Sequence, residues 1–92
     1  MSALAIGPEY LVFQHLLDLD KRKLWKDLVE ASEDPISKTP DWLTPYLFSG
    51  VGNANLGNRD EAIRRLKHVK DEALGDPQYA DAARILDQLG AH

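Results

Sequence analysis

Pro45-Tyr46-Leu47-Phe48-Ser49-Gly50, then Leu56-Gly57-Asn58-Arg59-Asp60-Glu61-Ala62-Ile63, then Leu66 and Val69, is the stretch that decides the fold. Its apolar residues recur at helical rather than strand spacing. Gly57 suits the left-handed cap of a helix running to Leu56. Asn58 with Glu61 has the spacing of a capping box and opens a following helix. That helix buries Ala62, Ile63, Leu66, Val69 and Ala73 and stops at Gly75. Two helices joined by so short a turn lie antiparallel. Small residues at Gly50 and Ala62 let the two axes approach to about 8 Å, the close end of helix packing.

Upstream, this helix begins at Thr39-Pro40 or at Thr44-Pro45; each pair offers a threonine N-cap followed by proline at the first helical position. Before it, Pro8 to about Leu19 carries Tyr10, Leu11, Phe13, Leu16 and Leu17 as a helical stripe. Asp20 reads as the N-cap of a second helix to about Ser32, with Leu24, Trp25, Leu28, Val29 and Ala31 on its apolar side. Asp34-Pro35 ends that helix, because proline disfavours helical geometry in the residue before it, and residues 34–40 read as a loop. Downstream, Asp76-Pro77 opens a fifth helix carrying Tyr79, Ala80, Ala83, Ile85, Leu86 and Leu89 and ending at Gly90. The expected fold is all-α: about five helices in antiparallel hairpins, one domain over residues 8–92, with residues 1–7 as a flexible leader.

The third and fifth helices repeat one pattern. Tyr46 matches Tyr79, Gly50 matches Ala83, Leu56 matches Leu89 and Gly57 matches Gly90, each pair 33 residues apart. A period of this size built from helix–turn–helix units points to a solenoid, and the ankyrin repeat's Thr-Pro-Leu-His signature is missing. On these residues the stretch from Pro40 to Gly90 resembles the tetratricopeptide repeat family. The clearest repeat spans 43–76, with residues 77–90 as a capping helix. Tyr46 takes the early aromatic position, Gly50 and Ala62 the small crossing positions, Leu56-Gly57 the turn and Leu66 the large apolar position. The departures are Pro77, three residues after the expected closing proline, and Asn53, where an aromatic is common. The N-terminal helix pair also fits the consensus poorly.

The resemblance implies a short right-handed solenoid with a groove for a protein or peptide partner. The groove residues it implies are Thr44, Leu47, Val51, Ala54 and Asn55 on the third helix. On the fifth they are Gln78, Ala80, Arg84, Asp87 and Gln88. Members of the family that clamp a terminal carboxylate use lysine and asparagine where Leu47 and Val51 stand here, so the implied groove is more apolar and suits an amphipathic or extended apolar segment. The expected function is a non-catalytic protein–protein interaction module. The alternative is a self-association or docking domain, with a second copy covering apolar faces that too few repeats leave open.

Composition narrows the remaining classes. The chain has 92 residues, 43% hydrophobic and 28% charged, with a net charge of −4. A domain of this size buries about 60–65% of its unfolded surface. The acidic balance disfavours nucleic acid, which needs a concentrated positive face. No cysteine is present, which removes disulfides and thiolate chemistry and fits a reducing, cytoplasmic location. No apolar run nears the roughly 20 residues that span a bilayer, and Met1–Ile6 lacks the basic start and long apolar core of a signal peptide. His15, His68 and His92 have no metal-ligand spacing. The glycines of residues 50–57 fail the spacing of a phosphate loop and read as close packing and capping. Ser49 lacks a nucleophile elbow, and no carboxylate pair sits in an apparent apolar pocket. An enzyme, a cofactor and a metal are therefore not expected. The mixed charges of the fourth helix, including His68, read as a solvated face with Asp60–Arg64 and Glu61–Arg65 pairs. At least two of Trp25, Trp42 and Phe48 are expected in the core, with Trp42 the aromatic that could serve as a binding anchor.

Overall fold

The computed structural model describes residues 7–91, and among these the chain forms five α-helices and no strand. They are α1 (Pro8–Lys21), α2 (Trp25–Lys38), α3 (Thr44–Asn55), α4 (Arg59–Ala73) and α5 (Ala80–Gln88), the last entered through a 3₁₀ turn at Pro77–Tyr79. Of the expected leader only Gly7 is described, as the N-cap of α1; Met1–Ile6 and His92 lie outside the described residues. No helix among the described residues is long and apolar enough to cross a membrane.

The central element is α3, packed against α2 on one side and α4 on the other. Its composition permits this, because Gly50 and Gly52 leave room on two different faces. A Cβ at Gly50 would lie 2.5 Å from Leu66 Cδ2 of α4, and one at Gly52 would lie 2.7 Å from Val29 Cγ2 of α2. The aromatic residues of α3 then divide the core. Phe48 joins Leu16, Leu19 and Leu28 between α1, α2 and α3. Tyr46 joins Leu66, Val69, Ala82 and Leu86 between α3, α4 and α5. Burial of these side chains supplies most of the stabilisation, at roughly 1.5–3 kcal/mol for each large residue. Trp25 packs half-buried against the first cluster, and Trp42 is half-buried in the loop before α3.

Three helix boundaries differ from the sequence expectation. Asp20 belongs to α1, and α2 is capped by Leu24 instead. The chain turns at Lys23, φ 58°, with Lys23 N–H donating to the Asp20 carbonyl and Leu24 N–H to the Leu19 carbonyl. This is a Schellman closure with lysine at the position that glycine normally takes.

Next, α2 does not stop before Pro35 but continues to Lys38 with the proline inside it. An interior proline costs about 3 kcal/mol through its missing N–H and its clash with the preceding turn. Burial of Pro35, packing of Ile36 on the Tyr46 cluster and the Glu33–Arg65 ion pair all require the extra turn and offset that cost.

Finally, neither threonine caps α3. Leu43 is the N-cap, Thr44 and Pro45 lie in the first turn, and Thr44 Oγ1 instead hydrogen-bonds the Tyr79 hydroxyl at 3.1 Å.

The turn from α3 to α4 is built on Asn53 rather than on a capping box. Asn58 is the N-cap of α4, but its side chain makes no cap bond. Its Nδ2 donates to Asn53 Oδ1 at 3.1 Å, while Asn53 Nδ2 donates to the Ser49 carbonyl at 2.9 Å. Asn53 is buried, so an amide at this position satisfies polar groups that an aromatic could not. Left-handed glycines close α3 at Gly57, φ 84°, and α5 at Gly90, φ 75°. Arg59 at the start of α4 donates two hydrogen bonds, 3.2 and 2.8 Å, to the Leu89 carbonyl at the end of α5.

Candidate functional site

Helices α1, α3 and α5 share one side of the molecule, and two adjoining depressions lie there. The first, about 310 Å³, has Leu17, Leu47, Phe48, Val51 and Ile85 as its apolar lining and Asp20, Asp81 and Arg84 as its charges. The second, about 280 Å³, runs between α3 and α5 past Ala54, Asn55, Gln88 and Leu89. Val51, Arg84 and Ile85 border both, so the two form one groove. Its floor exists because the residues of α3 that pack on α2 and α4 leave Leu47, Val51 and Ala54 on the remaining stripe, as helical periodicity requires.

Six of the ten residues expected to form a groove line it: Leu47, Val51, Ala54, Asn55, Arg84 and Gln88. The other four are placed elsewhere. Thr44 is buried, 6% exposed, and committed to the Tyr79 hydroxyl. Gln78 sits in the 3₁₀ turn, where its backbone N–H donates to Asp76 Oδ1 at 2.9 Å. Asp87 is exposed on α5 and is not among the residues lining either depression. Ala80 borders a different depression, of about 360 Å³, with Ala83, Tyr79 and Lys70 between α4 and α5.

The sequence reading missed Leu17 and Asp20, which form the α1 wall of the groove. They are three residues apart and therefore share a helix face. Reading Asp20 as a cap for α2 removed it from α1. On α5 the reading missed Asp81 and Ile85, although Arg84 is paired with Asp81 at 3.1 Å. Asp20 has no cation within ion-pair distance among the described residues. Partial burial pushes its carboxyl above the ordinary aspartate range.

The charged residues of α4 build a different feature. Arg65 is only 11% exposed, pairs with Glu33 of α2 at 3.2 Å and stands 5.6 Å from the Tyr46 ring centre. Its Nε lies 3.2 Å from a Glu61 carboxylate oxygen without hydrogen-bonding alignment, so the Glu33 contact is the better formed of the two. His68 packs against Tyr46 with ring centres 4.3 Å apart. The expected solvated face is therefore partly a brace across α2, α3 and α4. Glu61 pairs with Arg64, three residues on, as well as with Arg65. The hydrogen bond from Arg64 holds the Glu61 carboxyl below its usual range and raises the guanidinium of Arg64 in turn.

Among the described residues no group of three histidine or acidic side chains is placed to hold a metal ion. Comparison with family models, with curated proteins and with solved structures returns no match.

Proposed function

We propose that this chain is a non-catalytic, tetratricopeptide-like interaction module that holds a peptide segment of a protein partner in the groove between α1, α3 and α5. The observation that carries the reading is the continuous apolar floor of Leu17, Leu47, Val51 and Ile85 running across three helices. Alternate helices of a stacked helical array line such a surface, and α1, α3 and α5 are the alternate helices of this chain. The close Gly50–Leu66 contact and the 33-residue match of α3 with α5 support the same architecture. A shallow, mostly apolar lining with few charges suits retention of a segment through side-chain burial.

A pull-down comparing wild type with the Leu47→Glu, Val51→Glu double variant tests this reading. Ala54→Arg serves as a second variant at a half-buried, less packed position, and circular dichroism checks that each variant folds. Loss of the same captured protein from both folded variants is the expected result. Identical partner lists from all three proteins would remove the groove reading.

A second reading is self-association. Tyr10 and Leu11 are 51% and 61% exposed on α1, and Leu74 is 89% exposed after α4. Tyr10 and Leu11 are neighbours on α1, and a second copy would remove their apolar area from water. Light scattering across a concentration series separates the readings, because a monomer at every concentration leaves only the groove.

A further inference from the structure

We propose that the groove selects a peptide segment that presents a lysine or arginine, among apolar side chains, to Asp20. The proposal rests on the groove reading above and adds the chemistry of the occupant. Three charged side chains line the Asp20 half of the groove: Asp20, Asp81 and Arg84. Arg84 is already engaged with Asp81 at 3.1 Å, which leaves Asp20 as the carboxylate without a counter-charge among the described residues. Leu17 and Phe48 line the same depression and place apolar surface beside it. Asp20 is half-buried and gives up part of its hydration, which a charged donor brought by a ligand would replace with a charge-assisted hydrogen bond. An acidic or neutral segment would deepen the cost, since it adds repulsion or leaves the oxygen unpaired. Complementarity of charge therefore favours a cationic residue at this one position, while the apolar floor holds the residues around it.

The test uses three synthetic peptides of leucine, alanine and glutamine, identical except for one central residue: lysine, glutamine or glutamate. Each is titrated by NMR into the full chain, its Asp20→Asn variant and its Asp18→Asn variant. Asp18 is exposed, pairs with Arg22 at 3.4 Å, and is not among the groove residues; its substitution changes the net charge equally. The expected result is a preference for lysine over glutamine of roughly three- to tenfold, the range of a half-buried charge-assisted contact. Asp20→Asn abolishes that preference and Asp18→Asn keeps it. Equal loss in both variants would reduce the effect to net charge and overturn the proposal, as would a preference that survives Asp20→Asn. Equal binding of all three peptides at groove residues would overturn the proposal and leave the groove standing. Absence of shifts at Val51 and Ile85 with every peptide would remove the groove itself.

Discussion

Gly50 on α3 faces Leu66 on α4 so closely that a Cβ at residue 50 would stand 2.5 Å from Leu66 Cδ2 and 2.6 Å from Cγ. Leu66 is fully buried, so its side chain has little room to give way. Gly50→Ala gains about 1 kcal/mol of helix propensity but must force this contact open, at roughly 1–3 kcal/mol. A net destabilisation of up to about 2 kcal/mol is expected in urea unfolding. The diagnostic measurement is the double-mutant cycle with Leu66→Ala. That substitution alone costs about 2–5 kcal/mol by opening a cavity, and the alanine methyl at 50 enters it. The double variant should therefore be more stable than the sum of the singles by 0.5 kcal/mol or more, a rough lower bound for coupled neighbours. Strict additivity would mean that the two residues do not touch.

Gly52 makes the comparable approach to α2, with one difference in what it meets. Its Cβ would lie 2.7 Å from Val29 Cγ2 and also 3.2 Å from the Trp25 backbone carbonyl. A β-branched side chain is stiff and a helix backbone stiffer still, so little can give. Gly52→Ala should cost more than Gly50→Ala, roughly 2–3 kcal/mol. Stability of Gly52→Ala equal to or above that of wild type in the same unfolding assay would mean that α2 and α3 do not approach this closely.

The turn between α1 and α2 offers a stabilising substitution. Lys23 holds a left-handed conformation, φ 58°, which costs a side-chain-bearing residue about 1–2 kcal/mol. Glycine removes that strain and adds about 0.5–1 kcal/mol of unfolded-state entropy. Lys23→Gly should therefore raise stability by about 0.5–1 kcal/mol. A lowered melting temperature would mean that the exposed lysine side chain makes a contact of its own.

The helix ends also show what the sequence could and could not convey. Gly57 and Gly90 mark the ends of α3 and α5 plainly, because a left-handed residue there favours glycine and glycine is present. Lys23 does the same work without the residue that announces it, so the end of α1 moved in the reading and took Asp20 with it. Pro35 misled for the opposite reason. The local signal to stop is strong, but burial of Pro35 and Ile36 outweighs it, and burial is a tertiary property that no window of sequence contains. The candidate site divides in the same way. Val51, Asn55, Arg84 and Gln88 were legible only through the tetratricopeptide resemblance, which implies groove positions on the third and fifth helices. Leu17 was not, because α1 reaches the groove by packing against α3 rather than by any repeat in the chain. Thr44 illustrates the converse: the resemblance implies a groove position for it, yet a hydroxyl partner 35 residues away takes its side chain inward.

Arg59 ties the first turn of α4 to the Leu89 carbonyl at the end of α5 through two hydrogen bonds. These bonds are exposed, so Arg59→Ala should cost about 0.5–1 kcal/mol globally. The local effect should be larger, since α5 is short and terminal and opens more readily than the core. Hydrogen exchange of the α5 amides should accelerate while those of α3 stay nearly unchanged. Uniform acceleration across both helices would mean that α5 does not open on its own.

Two carboxylates should move acid stability in opposite directions. Glu61 is held below its ordinary range, first by its hydrogen bond from Arg64, so its ionised form stabilises the folded state. That contribution is present above the unfolded-state value and is lost as pH falls through the folded one. Glu61→Gln should therefore lower the melting temperature near pH 7 and matter little near about pH 3, where most carboxylates are protonated. Asp20 is raised by desolvation, so its folded form prefers the proton. Its favourable contribution exists at low pH and is lost as pH rises through the raised value, which makes the ionised group a net cost at neutrality. Asp20→Asn should accordingly raise the melting temperature near pH 7, by a small amount because the group is largely solvated, with the gain fading towards about pH 3. Thermal melts of wild type and both variants across that range check the pair. A destabilising Asp20→Asn at neutral pH would reveal a partner for the carboxylate within the chain and would remove the reason for a ligand to supply one.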